Sequence, residues 1–129
     1  MSKEDLRNNA MMARLLGALE KGQDIGHYGR LVFAMVGRHF LDDQELVELL
    51  KKIPNFDERQ ARGLVQQVKQ RDYNPPRPEK IRDWQRQQEF EICPSDDPDA
   101  CNVYRNLKFP DGIYDNINEY HEEKAQAGM

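Results

Sequence analysis

A chain of 129 residues with 38% apolar and 33% charged side chains holds one domain with a modest core and a large polar surface. No apolar run approaches the roughly 20 residues of a membrane span, and the stretch from Met1 to Asn9 lacks the apolar centre of a signal peptide. With only two cysteines, Cys93 and Cys101, the composition points to a cytoplasmic protein without a membrane segment.

Helical periodicity runs through the whole chain, punctuated by Gly, Pro and Asp. A first helix is expected over about 3–20, with Leu6, Leu15, Leu16 and Leu19 inward and Gly22 as its stop. Asp24 can cap a second, at about 25–40, whose Leu31, Val32, Met35, Val36 and Phe40 form a wide apolar face. Asp42 caps a third that buries Leu46, Val47, Leu49 and Leu50 and ends before Pro54. Asn55 or Asp57 caps a fourth, about 58–71, with Leu64, Val65 and Val68 as its core stripe. The run Tyr73-Asn74-Pro75-Pro76-Arg77-Pro78 cannot be regular helix, because its prolines lack amide donors and push their predecessors out of the α region. It reads as a stiff elbow. A fifth helix follows at about 79–89, with Ile81 and Trp84 inward. After an Asp-rich loop, Asp97-Pro98 opens a short helix to about Leu107, and a last helix is expected over about 112–124. The fold class is all-α: a compact bundle of six to seven short helices with a proline elbow, forming a single domain over residues 1–129.

The charge is unevenly spread. Residues 1–88 balance at +3 and residues 89–129 at −7, so a basic-balanced core precedes an acidic C-terminal part. On the second helix His27, Arg30 and Arg38 share a stripe about 80° wide at 100° per residue. The fourth helix repeats the pattern with Arg59, Arg62 and Lys69, and Arg77, Lys80, Arg82 and Arg86 follow the elbow. Exposed guanidinium and ammonium groups in rows suit phosphate oxygens. These ten residues are therefore the expected nucleic-acid contacts, and Tyr28, Tyr73 and Trp84 among them could stack on bases. The alternative for each stripe is an ordinary solvated, salt-bridged helix face.

Catalytic and metal motifs do not appear. Two thiols are too few for a zinc or iron–sulfur site. The loop around Asp96, Asp97 and Asp99 lacks the glycine and distal glutamate of a calcium loop, and His121-Glu122 lacks the second histidine of a zincin. Neither a Gly-rich phosphate loop nor a nucleophile elbow occurs. The expectation is a protein that is not an enzyme and carries no metal or cofactor.

Four segments occur in a suggestive order: Gly26-His27-Tyr28-Gly29-Arg30, Ile53-Pro54-Asn55-Phe56-Asp57-Glu58, Tyr73-Asn74-Pro75-Pro76, and Ile92-Cys93-Pro94 with Cys101 beyond. Across roughly residues 11–105 this series resembles the C-terminal domain of the archaeal and eukaryotic DNA primase large subunit. That family has a helical domain with an H-x-x-R near the start of a buried helix, a Y-x-P-P elbow and four cysteines on a [4Fe–4S] cluster. Here Met11 and Arg77 stand where two of those cysteines would be, so the resemblance implies a cluster-free relative. Its H-x-x-R helix, which faces template phosphates and the initiating triphosphate, carries over to His27 and Arg30.

The expected function is that of a non-catalytic subunit binding single-stranded or primer-template nucleic acid, DNA or RNA, within a larger protein complex and beside a catalytic partner. Two other readings fit the sequence: a small helical subunit of a CRISPR RNA-guided effector, lining its nucleic-acid path, and a protein–protein adaptor that uses the acidic tail.

Overall fold

A computed structural model of the protein describes residues 3–110, 112 and 113. Among these residues the chain is all-α, with seven α-helices, one 3₁₀ turn and no strand. Beyond Gly112 and Ile113, the expected last helix lies outside the described residues.

The single first helix expected over 3–20 is in fact two, α1 (Lys3–Leu6) and α2 (Ala10–Glu20). Asn9 makes the break. Its buried side chain accepts a hydrogen bond from the Met12 amide at 3.0 Å and donates to the Asn102 carbonyl at 3.1 Å. An asparagine favours a cap over a helix interior, and the bond to Asn102 fixes that choice from 93 residues away. Gly22, at φ 72°, ends α2 as expected: the Gln23 amide reaches back to the Ala18 carbonyl at 2.9 Å in a Schellman turn.

Central to the bundle is α3 (Gly26–Gly37), which packs against α2 and against the next helices, α4 (Asp43–Leu50), α5 (Glu58–Gln70) and α6 (Pro78–Gln85). Its buried face holds Val32, Phe33, Ala34, Met35 and Val36. Asp24 accepts from the Gly26 amide at 2.9 Å, and the side chain of Gln88 does the rest of the capping. The Gln88 carboxamide accepts from the Tyr28 amide and donates to the carbonyls of Ile25 and Phe90, each at 2.9 Å. It also explains Gly26, which sits at φ 80° and where an added Cβ would stand 2.5 Å from Gln88 Oε1. This return of Gln88 onto α3 accompanies the end of α6 at Gln85, short of the expected Glu89.

Capping boxes start α4 and α5. Asp42 pairs with Glu45 and Asp57 with Gln60, so Asp57 is the cap of the fourth expected helix and Asn55 is a left-handed turn residue at φ 62°. Pro78 occupies the first turn of α6, where no amide donor is needed. The helix expected from Pro98 to Leu107 is a 3₁₀ turn (Pro98–Cys101) followed by α7 (Val103–Asn106), divided where the Asn102 side chain caps Tyr104 at 3.1 Å.

One large core runs through α1–α6 and the segment beyond α7, where Phe109 meets Phe40, His39 and Tyr104 edge-on or tilted at 5.5–5.6 Å. A small second cluster of Ala34, Met35 and Val68 lies between α3 and α5, edged by Leu31, Leu64, Tyr73 and Trp84. No described helix is long and apolar enough to cross a membrane.

His39 follows α3, with its Nε2 buried and unbonded. Burial, then the neighbouring Arg38, lowers its pKa from 6.5 to about 4, against a weaker opposite pull from Asp72. The unfolded chain therefore takes up a proton that the folded protein excludes, and stability falls as pH drops from about 6.5 towards 4. Thermal unfolding should show this loss already between about pH 6.5 and 5, above the usual carboxylate range. His39→Phe should flatten the curve there.

Candidate functional site

Arg38 sits at the C-terminus of α3 with 11% of its side chain exposed. Its guanidinium donates to Asp72 Oδ1 at 2.8 Å and to the Tyr73 carbonyl at 3.0 Å. Asp72 is the left-handed residue (φ 49°) that closes α5, with the Tyr73 amide returning to the Val68 carbonyl at 3.2 Å. Hydrogen bonding to Arg38, and its charge, hold the Asp72 carboxyl below the ordinary carboxylate value. Arg38 thus clamps the place where α5 ends and the elbow begins. The exposed position expected for it on the α3 stripe is not what the structure has, because its partners lie 34 and 35 residues further along the chain.

Most of the other expected cations are also engaged by neighbours. Arg30 pairs with Asp24 at 3.0 Å and lies over the Phe56 ring, 4.5 Å from its centroid. Arg62 donates to Gln44 at 3.1 Å and stands 3.7 Å from Glu58; Lys69 pairs with Asp43 at 2.9 Å and Arg86 with Asp83 at 3.1 Å. Arg82 donates to the Asp96 carbonyl. His27 and Arg59 are exposed. Five of the other nine expected cations thus have a protein partner at hand.

Arg77 and Lys80 do come together, at a cavity of about 490 Å³ beside the elbow. Leu31 and Met35 of α3 line it with Tyr73, Pro75, Pro76, Trp84 and Tyr104. Its size lies within the roughly 300–1,000 Å³ of small-ligand sites. Lys80 Nζ lies over the Trp84 ring at 5.6 Å from the centroid, a contact worth about 0.5–1 kcal/mol at an exposed site. Tyr28 stacks on Trp84 at 5.5 Å and 16°. Tyr28 thereby covers part of the indole that Lys80 also approaches. The Tyr104 hydroxyl donates to the Pro75 carbonyl and ties the elbow to α7. Of the three aromatic residues expected to stack, Tyr73 and Trp84 line the cavity and Tyr28 backs it. Tyr104 is the residue the sequence did not offer, since it lies 29 residues from the proline it holds.

The two thiols are buried together beneath α6. Cys101 Sγ lies 3.8 Å from the Pro78 carbonyl, and the Cys93 amide donates to Gln85 Oε1 at 2.9 Å. A thiol–thiol hydrogen bond holds Cys101 below the ordinary thiol value, helped by Arg82, and pushes Cys93 up together with burial. Met11, at the start of α2, is fully buried, and α2 and α6 both pack on the 3₁₀ turn that carries Cys101. Among the described residues no three His, Cys, Asp or Glu side chains gather as a metal-ligand set.

Arg38→Ala should destabilise the fold by about 2–3 kcal/mol, the scale of hydrogen bonds made by a charged group, as read by chemical denaturation. Arg59→Ala, at an exposed position, should stay within about 0.5 kcal/mol of wild type.

No protein-family model matches the chain, and no curated protein or solved structure matches it either.

Proposed function

We propose that the protein is a non-catalytic subunit that binds single-stranded or primer-template nucleic acid beside a catalytic partner, as its resemblance to the C-terminal domain of the primase large subunit implies. The elbow cavity carries this reading: aromatic rings and two cations meet there on a rigid frame, the combination that single-strand binders use for bases and phosphates. The motifs behind the resemblance also pack as one unit. Arg30 of the first motif lies over Phe56 of the second, and Arg38, at the end of the helix that begins with the first motif, holds the Tyr73 carbonyl of the third. Cys93 and Cys101 of the fourth are tied to α6 at Gln85 and Pro78.

Phosphate contacts make binding salt-dependent, with a slope of roughly 0.7 per contact on single strands. Affinity for a short single-stranded oligonucleotide should fall linearly with salt on logarithmic axes. Arg77→Gln combined with Lys80→Gln should lower the slope by roughly 1.4 if each cation meets one phosphate. The weakening should be about equal for all sequences, because phosphate contacts carry no base information. No binding at low salt, or an unchanged slope in a stably folded double variant, rejects the reading.

A further inference from the structure

We infer that the elbow cavity captures one unpaired nucleobase, stacked on Trp84 where the indole lines the cavity, with the adjoining phosphate held by Lys80. This rests on the reading of the protein as a nucleic-acid binder and names the part of the strand that the site takes.

Trp84 is presented as a stacking platform. Tyr28 supports one face of the indole, so the ring cannot retreat when a ligand presses on the other. Trp84 also lines the cavity, where the Lys80 amine lies over its ring at 5.6 Å. Lys80 is exposed, so its ammonium is free to leave the ring for a phosphate as a base slides in. That exchange keeps the amine paired and replaces a weak cation–π contact with a ring–ring stack.

The cavity matches a flat, mostly apolar ring. Leu31 and Met35 supply apolar surface from α3, while Pro75 and Pro76 supply walls with fixed φ. Both prolines are buried, and the Tyr104 hydroxyl and the Arg38 guanidinium hold the two sides of the turn, so the site is built before any ligand arrives. Charge favours an anion: Lys80 is a cation at the edge of an apolar lining, and none of the described lining residues is a carboxylate, which suits an aromatic ring attached to an anion. Bases inside a duplex have both faces covered by their neighbours and cannot enter without being unstacked. The site is therefore selective for a strand end or an unpaired stretch and tolerant of which base it holds, since every base has a π face.

Trp84 is the chain's one tryptophan, so its emission reports this cavity directly. The full chain is titrated with a short thymidine oligonucleotide and with an abasic strand carrying the same phosphates. The expected result is quenching of Trp84 by the thymidine strand, with the abasic strand binding roughly 5- to 150-fold more weakly and without quenching, the loss of one base stack. Gln67→Phe, which puts a ring into the cavity from an exposed position, should abolish the difference between the two strands. Equal affinity for both strands with no quenching overturns base capture and leaves the backbone-binding reading standing. Failure of both strands to bind at low salt overturns both. A concentration-dependent change of Trp84 emission without nucleic acid marks a second copy of the chain in the cavity and also overturns the inference.

Discussion

One guanidinium ties the end of the central helix to the start of the elbow. Arg38 ends the central helix, yet its hydrogen bonds go to Asp72 and the Tyr73 carbonyl, where α5 stops and the elbow starts. The chain there has to reverse out of a helix through a left-handed aspartate, a conformation disfavoured for any residue with a Cβ. The bond from Arg38 offsets that cost and fixes the direction in which Pro75 and Pro76 leave. Everything that follows the elbow inherits this direction: α6, the Trp84–Tyr28 stack, and the cavity between them.

Local chemistry in the sequence was enough for much of the fold. Asp42 and Asp57 each have Glu or Gln three residues on, and both form capping boxes. The proline run breaks the helical pattern where it must, and Gly22 ends α2 in the left-handed region. Periodicity also identified the buried faces of α3, α4 and α5. Breaks set by distant partners were not legible. Asn9 interrupts the first helix because of Asn102, and Gln88 shortens α6 by turning back to cap α3. Both residues have polar side chains that suit a surface equally well, and nothing nearby in sequence signals a partner.

The candidate site divides along the same line. A helical stripe shows which residues share a face, but not whether a nearby carboxylate has already claimed them. Asp24, Asp43, Asp72 and Asp83 engage Arg30, Lys69, Arg38 and Arg86 in this way. Arg77 and Lys80 stand out because the elbow places them beside rings, and Tyr104 arrives there from beyond the acidic loop. Sequence supplied the ingredients of that cavity; the tertiary clamp brought them together.

The internal pairing of cations has a kinetic consequence. Opposite charges a few ångströms apart cancel beyond a Debye length, about 8 Å at physiological salt. With Arg30, Arg38 and Lys69 among the cations paired in this way and a net charge of −4, the protein projects little attractive field towards a distant polyanion. Encounter with a strand would then proceed at the roughly 10⁵–10⁶ M⁻¹s⁻¹ of unsteered association, far below rates reached by charge-guided pairs. If the protein has the proposed role, tethering near the strand would serve it better, since effective concentration replaces long-range attraction. Under the proposed role its grip on a strand would be short-ranged, set at contact distance and not by the field around the molecule.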